Sequence, residues 1–287
     1  MIIYKSRFLT RGEVWFNEAP ARRNLDWLLY NQCPQPAPRS KWKYFHSYVV
    51  DLEGSQEDLL GRMNSDTVYK IRRARDKDHV ACEFSEEGDV KLLDHFEAMH
   101  NRFAAAKGLS PLNRRRINSV AAAGALVLSV AKDTEGAPLV YHAFYRNRQR
   151  MTLLFSVSCF RDLASSAARN AIGRANRLLT WTEMLRCKEQ GLKCFDFGGW
   201  YPGTADQSLL QINAFKKGFG GRVVREYECE QILSLRGWVI LTVAAVLRRR
   251  KERVKIQAPE EAAVGAARVE PALGEMELAA GPGRSGR

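Results

Sequence analysis

Three short strand patterns, a long helix pattern and one further apolar strand pattern constrain the fold of this chain most. The first three patterns occupy residues 125–131, 139–145 and 151–158, and short polar turns separate them. Turns of this length join neighbouring antiparallel strands, so the segment predicts a three-stranded meander. A helix over about 165–190 then leads into a buried strand at 193–197. A strand, a helix and a strand in this order predict a parallel crossover onto the edge of the meander.

Helices and strands are also predicted before and after this segment. The alternating residues 2–16 predict one strand or a hairpin around Arg11 and Gly12, and the aromatic and β-branched residues 44–52 predict a strand. The remaining predicted elements are helices over 55–77, 89–107, 113–122 and 208–217 and a strand over 222–232. Together these elements predict an α/β fold built on a mixed sheet.

The element order also predicts the domain organisation. A core domain is expected at 123–235, with an N-terminal half at 1–122. An apolar stretch at 237–247 with a basic flank is shorter than the roughly 20 residues that span a bilayer. Within a C-terminal helix over 236–257, this stretch either packs on the body or lies at a membrane interface. The Ala-, Gly- and Glu-rich tail at 258–287 is expected to be disordered.

Composition limits the partners and the compartment. The formal net charge of +13 favours anionic partners such as phosphates, nucleic acid or an acidic membrane surface, although an Arg-rich surface can also serve solubility alone. The six cysteines are scattered and none has zinc-knuckle spacing, which predicts free thiols in a reducing compartment. The N-terminus lacks an export pattern, so we expect a cytoplasmic protein. No metal site, Walker loop or Ser-His-Asp arrangement is predicted.

A short segment at the start of the long helix bears on donor binding. The order of antiparallel strands, helix and parallel strand resembles the GNAT superfamily of N-acyltransferases, in which a strand-to-helix turn offers N–H groups to a pyrophosphate. Residues 169–175 (Arg-Asn-Ala-Ile-Gly-Arg-Ala) are similar to its Q/R-x-x-G-x-G/A loop, although Asn170 replaces Gln or Arg. A helix start that merely packs on a sheet is the alternative. The donor-binding residues that this resemblance implies are Arg169, Gly173, Arg174 and Ala175.

Three further segments carry a more specific resemblance. Residues 196–200 (Asp-Phe-Gly-Gly-Trp) are followed by Phe-Lys at 215–216 and by Phe-Gly-Gly at 219–221. Upstream, residues 69–74 (Tyr-Lys-Ile-Arg-Arg-Ala) are similar to a basic R-x-x-I-R-R-A helix. Together they resemble the FemABX peptidyltransferases, a family within the GNAT-like fold. Members of that family transfer amino acids from aminoacyl-tRNA to peptidoglycan precursors, and related exopolysaccharide-associated proteins are expected to use acyl-CoA or acyl-carrier-protein donors.

The resemblance implies roles for particular residues. Lys216 is expected to neutralise charge on the reacting carbonyl or to hold the tRNA end, and Asp196 to orient or deprotonate an attacking amine or to cap a turn. The substrate-binding residues implied are Phe215, Gly198, Gly199, Trp200, Arg72 and Arg73. An exposed lysine, a plain tight turn and a solvated basic face are the alternatives. We expect His142, which lies in a strand, to be packed and not catalytic.

The sequence therefore predicts a GNAT-like acyltransferase, with two GNAT-like halves as one option. The acceptor, an amine or hydroxyl of a cell-envelope or exopolysaccharide-related precursor, attacks a bound thioester or ester directly. The donor is acyl-CoA, acyl-carrier protein or aminoacyl-tRNA, no cofactor is tightly bound, and a lipid-linked acceptor would place the enzyme at the inner face of the membrane. A non-catalytic nucleic-acid-binding protein and a degenerate GNAT scaffold are the alternatives. The oligomeric state is not predicted.

Overall fold

The computed structural model describes residues 1–6, 8–21, 24–85, 89–158 and 165–257, with side chains in the last range as far as 247. The strands are β1 (Ile2–Ser6), β2 (Leu9–Trp15), β3 (Trp27–Cys33), β4 (Lys41–Asp51), β5 (Ala81–Ser85), β6 (Leu126–Lys132), β7 (Pro138–Arg146), β8 (Arg150–Ser158), β9 (Cys194–Gly199) and β10 (Arg222–Ile232). The helices are α1 (Gln56–Arg62), α2 (Ser65–Asp76), α3 (Val90–Lys107), α4 (Arg114–Ala122), α5 (Ser166–Glu189), α6 (Gln207–Lys217) and α7 (Leu235–Gln257). The predicted α/β class with a mixed sheet is confirmed.

The chain forms two units, of which the first combines Met1–Lys43 with the described residues from Tyr227 to Gln257. In this unit β1 and β2 form an antiparallel hairpin, β2 pairs in parallel with β3, and β3 pairs antiparallel with β10. The predicted turn position is wrong, because the chain turns between Ser6 and Leu9, and Arg11 and Gly12 lie inside β2. An alternating pattern determines the faces of a strand but leaves the turn undetermined.

Helix α7 ends the described part of the first unit. Most of its large apolar side chains are exposed, Ile240 and Leu241 are partly buried, and Gly237 is the buried position among residues 235–247. The exposed residues are Leu235, Trp238, Val239, Val243, Val246 and Leu247. The start of the helix contacts the first unit, since Ser234 donates a hydrogen bond to Asp26 at 2.6 Å, and most of the side chains that follow are accessible to solvent. Within the described ranges, no helix is long and apolar enough to cross a membrane.

The second unit, Tyr44–Glu226, contains the predicted meander and crossover. Its strands follow the order β4-β9-β8-β7-β6-β5. Strands β5 to β8 form consecutive antiparallel pairs, whereas β9 is parallel to β8 and antiparallel to β4. Helix α5 connects β8 to β9, so the parallel crossover is confirmed. The main core cluster joins apolar residues of α1, α2 and α5 to the aromatic residues of β7 and β9.

The helix predicted over 55–77 is two helices. Helix α1 begins at a capping box between Ser55 and Asp58, and α2 begins at Asn64, whose side chain accepts a hydrogen bond from the N–H of Thr67 at 2.7 Å. Side-chain acceptors at both N-termini satisfy amide groups that have no partner inside a helix. The apolar spacing continues across the break, so periodicity alone did not reveal it.

Candidate active site

Strands β8 and β9 separate beyond a short ladder. Their parallel pairing runs from Arg150 opposite Cys194 to Thr152 opposite Asp196 and ends there among the described residues. Strand β8 nevertheless continues to Ser158. Diverging parallel strands leave a gap in which side chains from both strands and from the adjacent helices can meet a ligand.

A cavity lies along this gap, and together with the open solvent at its mouth it encloses about 630 Å³. The lining residues come from β7, β8, β9, α5 and α6 and are His142, Leu153, Leu154, Phe155, Ser156, Asn176, Thr180, Glu183, Phe195, Phe197, Gly199, Ile212, Phe215 and Lys216. The cavity therefore combines an apolar wall with a few buried polar groups.

Lys216, in the last turn of α6, supplies a cation to the wall of this cavity. Its side chain is 4% exposed, and its Nζ donates a hydrogen bond to the carbonyl oxygen of Gly199. Burial lowers the pKa of Lys216 to about 8, partly offset by the negative charge of Asp196. At neutral pH the ammonium group therefore remains mostly protonated in an environment with little water.

Asp196 is fully buried below the cavity and is not among the lining residues. One carboxylate oxygen lies 2.8 Å from Nη2 of Arg150, and the other accepts a hydrogen bond from the N–H of Gly198 at 2.8 Å. Arg150 also pairs with Glu226 at 2.5 Å, and Ser47 donates to Glu226 at 2.7 Å. Both oxygens of Asp196 are thus engaged, which suits a residue that positions a turn better than one that abstracts a proton.

The glycines that follow Asp196 have separate structural reasons. Gly198 has a φ of +68°, and a Cβ added there would lie 2.7 Å from the carbonyl oxygen of Leu153. Only glycine accepts both conditions without strain. Gly199 lines the cavity and presents its carbonyl oxygen to Lys216. The turn therefore brings backbone atoms, and not side chains, to the position next to the buried cation.

The two aromatic candidates lie in different places. Phe215 lines the cavity, and the Arg177 guanidinium lies 5.0 Å from the centroid of its ring. Trp200 is outside the lining, where its N–H donates to the carbonyl of His46 at 2.6 Å and its ring stacks on Tyr48 with centroids 5.1 Å apart. The structure thus places Phe215 beside the cavity and Trp200 in the packing beyond it.

The Phe-Gly-Gly segment at 219–221 anchors the end of α6. Gly220 has a φ of +74°, and a Cβ there would lie 2.3 Å from the carbonyl oxygen of Arg62. A Cβ at Gly221 would lie 2.5 Å from the carbonyl oxygen of Val49. These close backbone approaches hold the C-terminal end of α6, and with it Lys216, against the α1–α2 junction and β4.

The segment proposed as a phosphate loop lies inside α5. Gly173 and Ala175 are beyond the first turn, where backbone N–H groups bond to carbonyls of the same helix. Arg174 pairs with Asp78 through two hydrogen bonds of 2.5 and 3.0 Å, and Ala175 is fully buried in an apolar cluster. Gly173 and Ala175 therefore lie within the helix, beyond the turn that was expected to precede residue 169. Residues 159–164, which precede it, lie outside the described ranges, and Arg169 is in the first turn.

The basic residues of α2 do not line the cavity. Arg72 and Arg73 are exposed, and Nη1 of Arg73 donates to the hydroxyl of Tyr69 at 2.9 Å. Exposed guanidinium groups can contact a large anionic ligand but cannot take part in chemistry inside the cavity. The structure thus separates these residues from Lys216.

Comparison with known proteins identifies the family. Residues 62–216, more than half of the chain, match the family model of the acetyltransferase (GNAT) domain. The chain belongs to the GNAT family. The matching family model describes an acetyltransferase domain, and this favours an enzyme over the nucleic-acid-binding alternative. No curated protein sequence matches the chain.

Solved structures resemble this GNAT chain in fold. FemX superposes with a TM-score of 0.53 at 15% identity, over 66% of this chain and 61% of FemX, so the match spans about three-fifths of that protein. The C-terminal domain of a putative lysylphosphatidylglycerol synthetase from Agrobacterium fabrum gives 0.48 at 14% identity, over 77% of this chain and 72% of that domain. The family model and the fold of FemX confirm the resemblance to FemAB-like GNAT proteins that the motifs predict.

The polar wall that α5 contributes to this cavity was not predicted from the sequence. Asn176, Thr180 and Glu183 are all at least 95% buried and line the cavity. Their spacing of four and three residues puts them on one face of the helix. The signal available in the sequence for this polar wall was the presence of polar residues on a helix face that is otherwise buried. His142 on β7 also lines the cavity and contacts Glu183, although it was expected only to be packed.

Proposed function

We propose that this chain transfers an acyl or aminoacyl group to an amine or hydroxyl of a cell-envelope or exopolysaccharide-related precursor. The acceptor attacks the thioester or ester carbonyl of a bound donor directly, in the cavity between β8 and β9. The donor is anionic: acyl-CoA, an acylated carrier protein or an aminoacyl-tRNA. Membership of the GNAT family supports the general reaction, and the FemABX-like segments between residues 196 and 221 support the choice of acceptor.

A single observation carries the proposal, the buried ammonium group of Lys216 at the cavity wall. When an amine or hydroxyl adds to a carbonyl group, negative charge develops on the carbonyl oxygen. A fixed cation in a site with little water stabilises that charge, by about 3–4 kcal/mol on the scale of an oxyanion-hole donor. Since its pKa of about 8 keeps Lys216 protonated at neutral pH, it can supply this charge. Asp196 then has a positioning role, because it holds the turn that faces Lys216.

The donor's phosphate groups are assigned to the N-terminal end of α5. The first-turn N–H groups of a long helix attract anions, and Arg169 adds a guanidinium group in that turn. Asn176, which lines the cavity, lies seven residues further along, on the same face and about 10 Å away at 1.5 Å per residue. An extended thioester arm or an aminoacyl end that follows this face would bring its carbonyl to the cavity. Arg72 and Arg73, exposed on α2, would contact the outer phosphates of a large donor.

The test compares two adjacent lysines. Wild-type protein is incubated with CoA thioesters, an acylated carrier protein and charged tRNA, together with a muramyl-pentapeptide precursor as the amine acceptor, and products are identified by mass. With the active donor, Lys216→Ala should lower kcat by about 100-fold or more, because the oxyanion loses its cation. Lys217→Ala, an identical change at an exposed neighbour, should retain wild-type kcat. Both variants should melt within a few degrees of wild type.

The outcomes separate the parts of the proposal. Unchanged kcat in Lys216→Ala would remove the site assignment while leaving acyl transfer intact. Failure of every donor to acylate an acceptor, or to remain bound in native mass spectra, would contradict the function itself. The donor that reacts decides between the CoA, carrier-protein and tRNA options.

The exposed apolar face of α7 supports a membrane-bound acceptor. Trp238, Val239 and Val243 are about half exposed, and the sequence continues with four basic residues at 248–251. Apolar side chains next to basic ones favour the interface of an anionic bilayer. Wild-type protein should sediment with phosphatidylglycerol vesicles, and a Trp238→Ser, Val243→Ser double variant should not. Equal sedimentation of the two proteins would exclude α7 as the contact.

A further inference from the structure

Two buried titratable side chains in the cavity have no role in the proposal above. His142 on β7 and Glu183 on α5 are 2% and 1% exposed, and both line the cavity. Nδ1 of His142 lies 2.8 Å and 3.1 Å from the two carboxylate oxygens of Glu183. Ser129 on β6 donates a hydrogen bond to the nearer oxygen at 2.5 Å. Side chains from β6, β7 and α5 thus meet at one carboxylate group.

These contacts determine which nitrogen of His142 carries the proton. An ionised carboxylate only accepts hydrogen bonds, so Nδ1 must be the N–H donor to Glu183. In a neutral imidazole the other nitrogen, Nε2, then holds a free electron pair. Nε2 is buried and has no hydrogen-bond partner among the described residues. A buried acceptor without a partner is costly, so a purely structural pair would be expected to satisfy it.

We infer that His142 accepts the proton of the attacking amine or hydroxyl at Nε2, and that Glu183, itself held by Ser129, is the positioning residue that fixes the required tautomer. This inference rests on the proposed acyl transfer and adds the base that the reaction needs. In the proposed arrangement the imidazole lies between the carboxylate of Glu183 and the acceptor. This is the arrangement in which a carboxylate orients a histidine base. His142 and Lys216 line the same cavity, so proton removal and charge stabilisation can act on one reacting centre.

The proposed step balances as follows. The electron pair of the acceptor nitrogen or oxygen forms a bond to the donor carbonyl carbon, and the carbonyl π pair moves to the oxygen facing Lys216. The acceptor's proton passes to Nε2 of His142. When the carbonyl re-forms, the bond to the leaving sulfur or oxygen breaks, and that atom departs with the bonding pair and takes a proton from solvent. His142 returns its proton to solvent, and no oxidant or metal is needed.

The charged groups around His142 determine the expected pH dependence. Glu183 faces it from α5, Lys216 lies across the cavity on α6, and the strand neighbours Ser129 and Ser156 are neutral. Cys82 on β5 interacts with Glu183 but stays a neutral thiol, because burial raises its pKa to about 11. A base acts only when it is deprotonated. Activity should therefore fall as the pH decreases.

The experiment measures kcat/KM from pH 5 to 9 for wild type, His142→Gln and Glu183→Gln, with the donor and acceptor that wild type uses in the panel above. For His142→Gln, kcat/KM should fall at least about 100-fold, and its decrease towards acid pH should disappear, because the base is gone. Glu183→Gln should lose activity to a similar extent, because an amide can donate to Nδ1 and favour the wrong tautomer. The matched control is His100→Gln, at a histidine that is also 2% exposed but lies on α3 outside the cavity lining. This variant should retain activity.

A second measurement does not depend on turnover. Imidazole ¹⁵N chemical shifts of the wild-type protein should report Nδ1–H and an unprotonated Nε2 for His142 at neutral pH, and Glu183→Gln should shift this tautomer. An Nε2–H tautomer in wild type overturns the inference even if His142→Gln fails to fold. If the variants keep kcat/KM within threefold of wild type, with the same decrease towards acid pH, the role of His142 as the base is overturned while acyl transfer stands. A wild-type protein that transfers no acyl group overturns both proposals together.

Discussion

Two buried polar clusters in the second unit differ in how their charged groups are paired. The anchor cluster is Ser47, Arg150, Asp196 and Glu226; its guanidinium lies between two carboxylates, and Ser47 donates to one of them. The cavity cluster is Ser129, His142, Glu183 and Lys216; Nε2 of the histidine has no partner, and the structure gives the ammonium group one carbonyl acceptor. Buried charges that are paired with counter-ions maintain a structure, whereas under-paired groups at a cavity are available to a ligand.

The largest expected effect comes from breaking the anchor cluster. Arg150→Met leaves the carboxylates of Asp196 and Glu226 buried without their counter-ion. Loss of one partner from a buried ion pair costs about 3–5 kcal/mol in the free energy of unfolding. Urea denaturation would measure this loss. The control is Arg148→Met, at an exposed residue in the preceding turn, which should stay within about 0.5 kcal/mol of wild type. A loss below 1 kcal/mol for Arg150→Met would remove the distinction between the clusters.

The next effect concerns the cost of burying Lys216. Its folded pKa of about 8 is below the ordinary value of 10.5, so the unfolded chain binds more protons between these pH values. The free energy of unfolding should therefore be reduced by the full cost of the buried ammonium group below pH 8, and it should rise as the pH increases towards 10.5. The penalty is about 3 kcal/mol at 1.36 kcal/mol per pKa unit.

Lys216→Met isolates this contribution. The difference in the free energy of unfolding between wild type and the variant should move in favour of wild type by up to about 3 kcal/mol between pH 8 and 10.5. Subtracting the two curves cancels the other lysines and the tyrosines. Urea titrations at several pH values give both curves. Parallel curves would mean that the buried ammonium carries no desolvation cost.

A smaller effect is expected at the glycine that positions the cation. Gly220→Ala places a Cβ 2.3 Å from the carbonyl of Arg62, at a φ of +74°. Strain of this kind costs about 1–3 kcal/mol. Because Gly220 fixes the end of α6, kcat should also fall. Thermal denaturation and the transfer assay measure the two effects, and a fully stable variant with normal kcat would show that α6 does not depend on this contact.

The smallest effect is expected at Gly173, inside α5. A Cβ there meets nothing closer than Nη1 of Arg177 at 3.8 Å, and the backbone is helical. Gly173→Ala should therefore stabilise the protein by about 0.5–1 kcal/mol, because glycine is a poor helix residue. Donor affinity should be unchanged. Lost donor binding, measured by calorimetry, would instead indicate that the ligand approaches this backbone closely.

Local patterns predicted most elements of the second unit. The meander, α5 and β9 follow from alternation, helical spacing and short turns, and the parallel crossover follows from their order. Strand β5 was not predicted, because its five residues carry little pattern of their own and are stabilised by pairing with β6. The break between α1 and α2 was also missed, since a capping residue interrupts an apolar stripe that continues beyond it.

The sequence by itself determined the family, the order of the core elements and the prediction of Lys216, because these depend on residues close together in the chain or on recognisable spacing. Tertiary structure alone showed that Asp196 is held by Arg150 and that Arg174 is paired with Asp78. It also brought His142 to Glu183, 41 residues further along the chain. Burial, pairing and pKa depend on which distant groups meet, and the packing of α5 and α6 against the separated strands decides that.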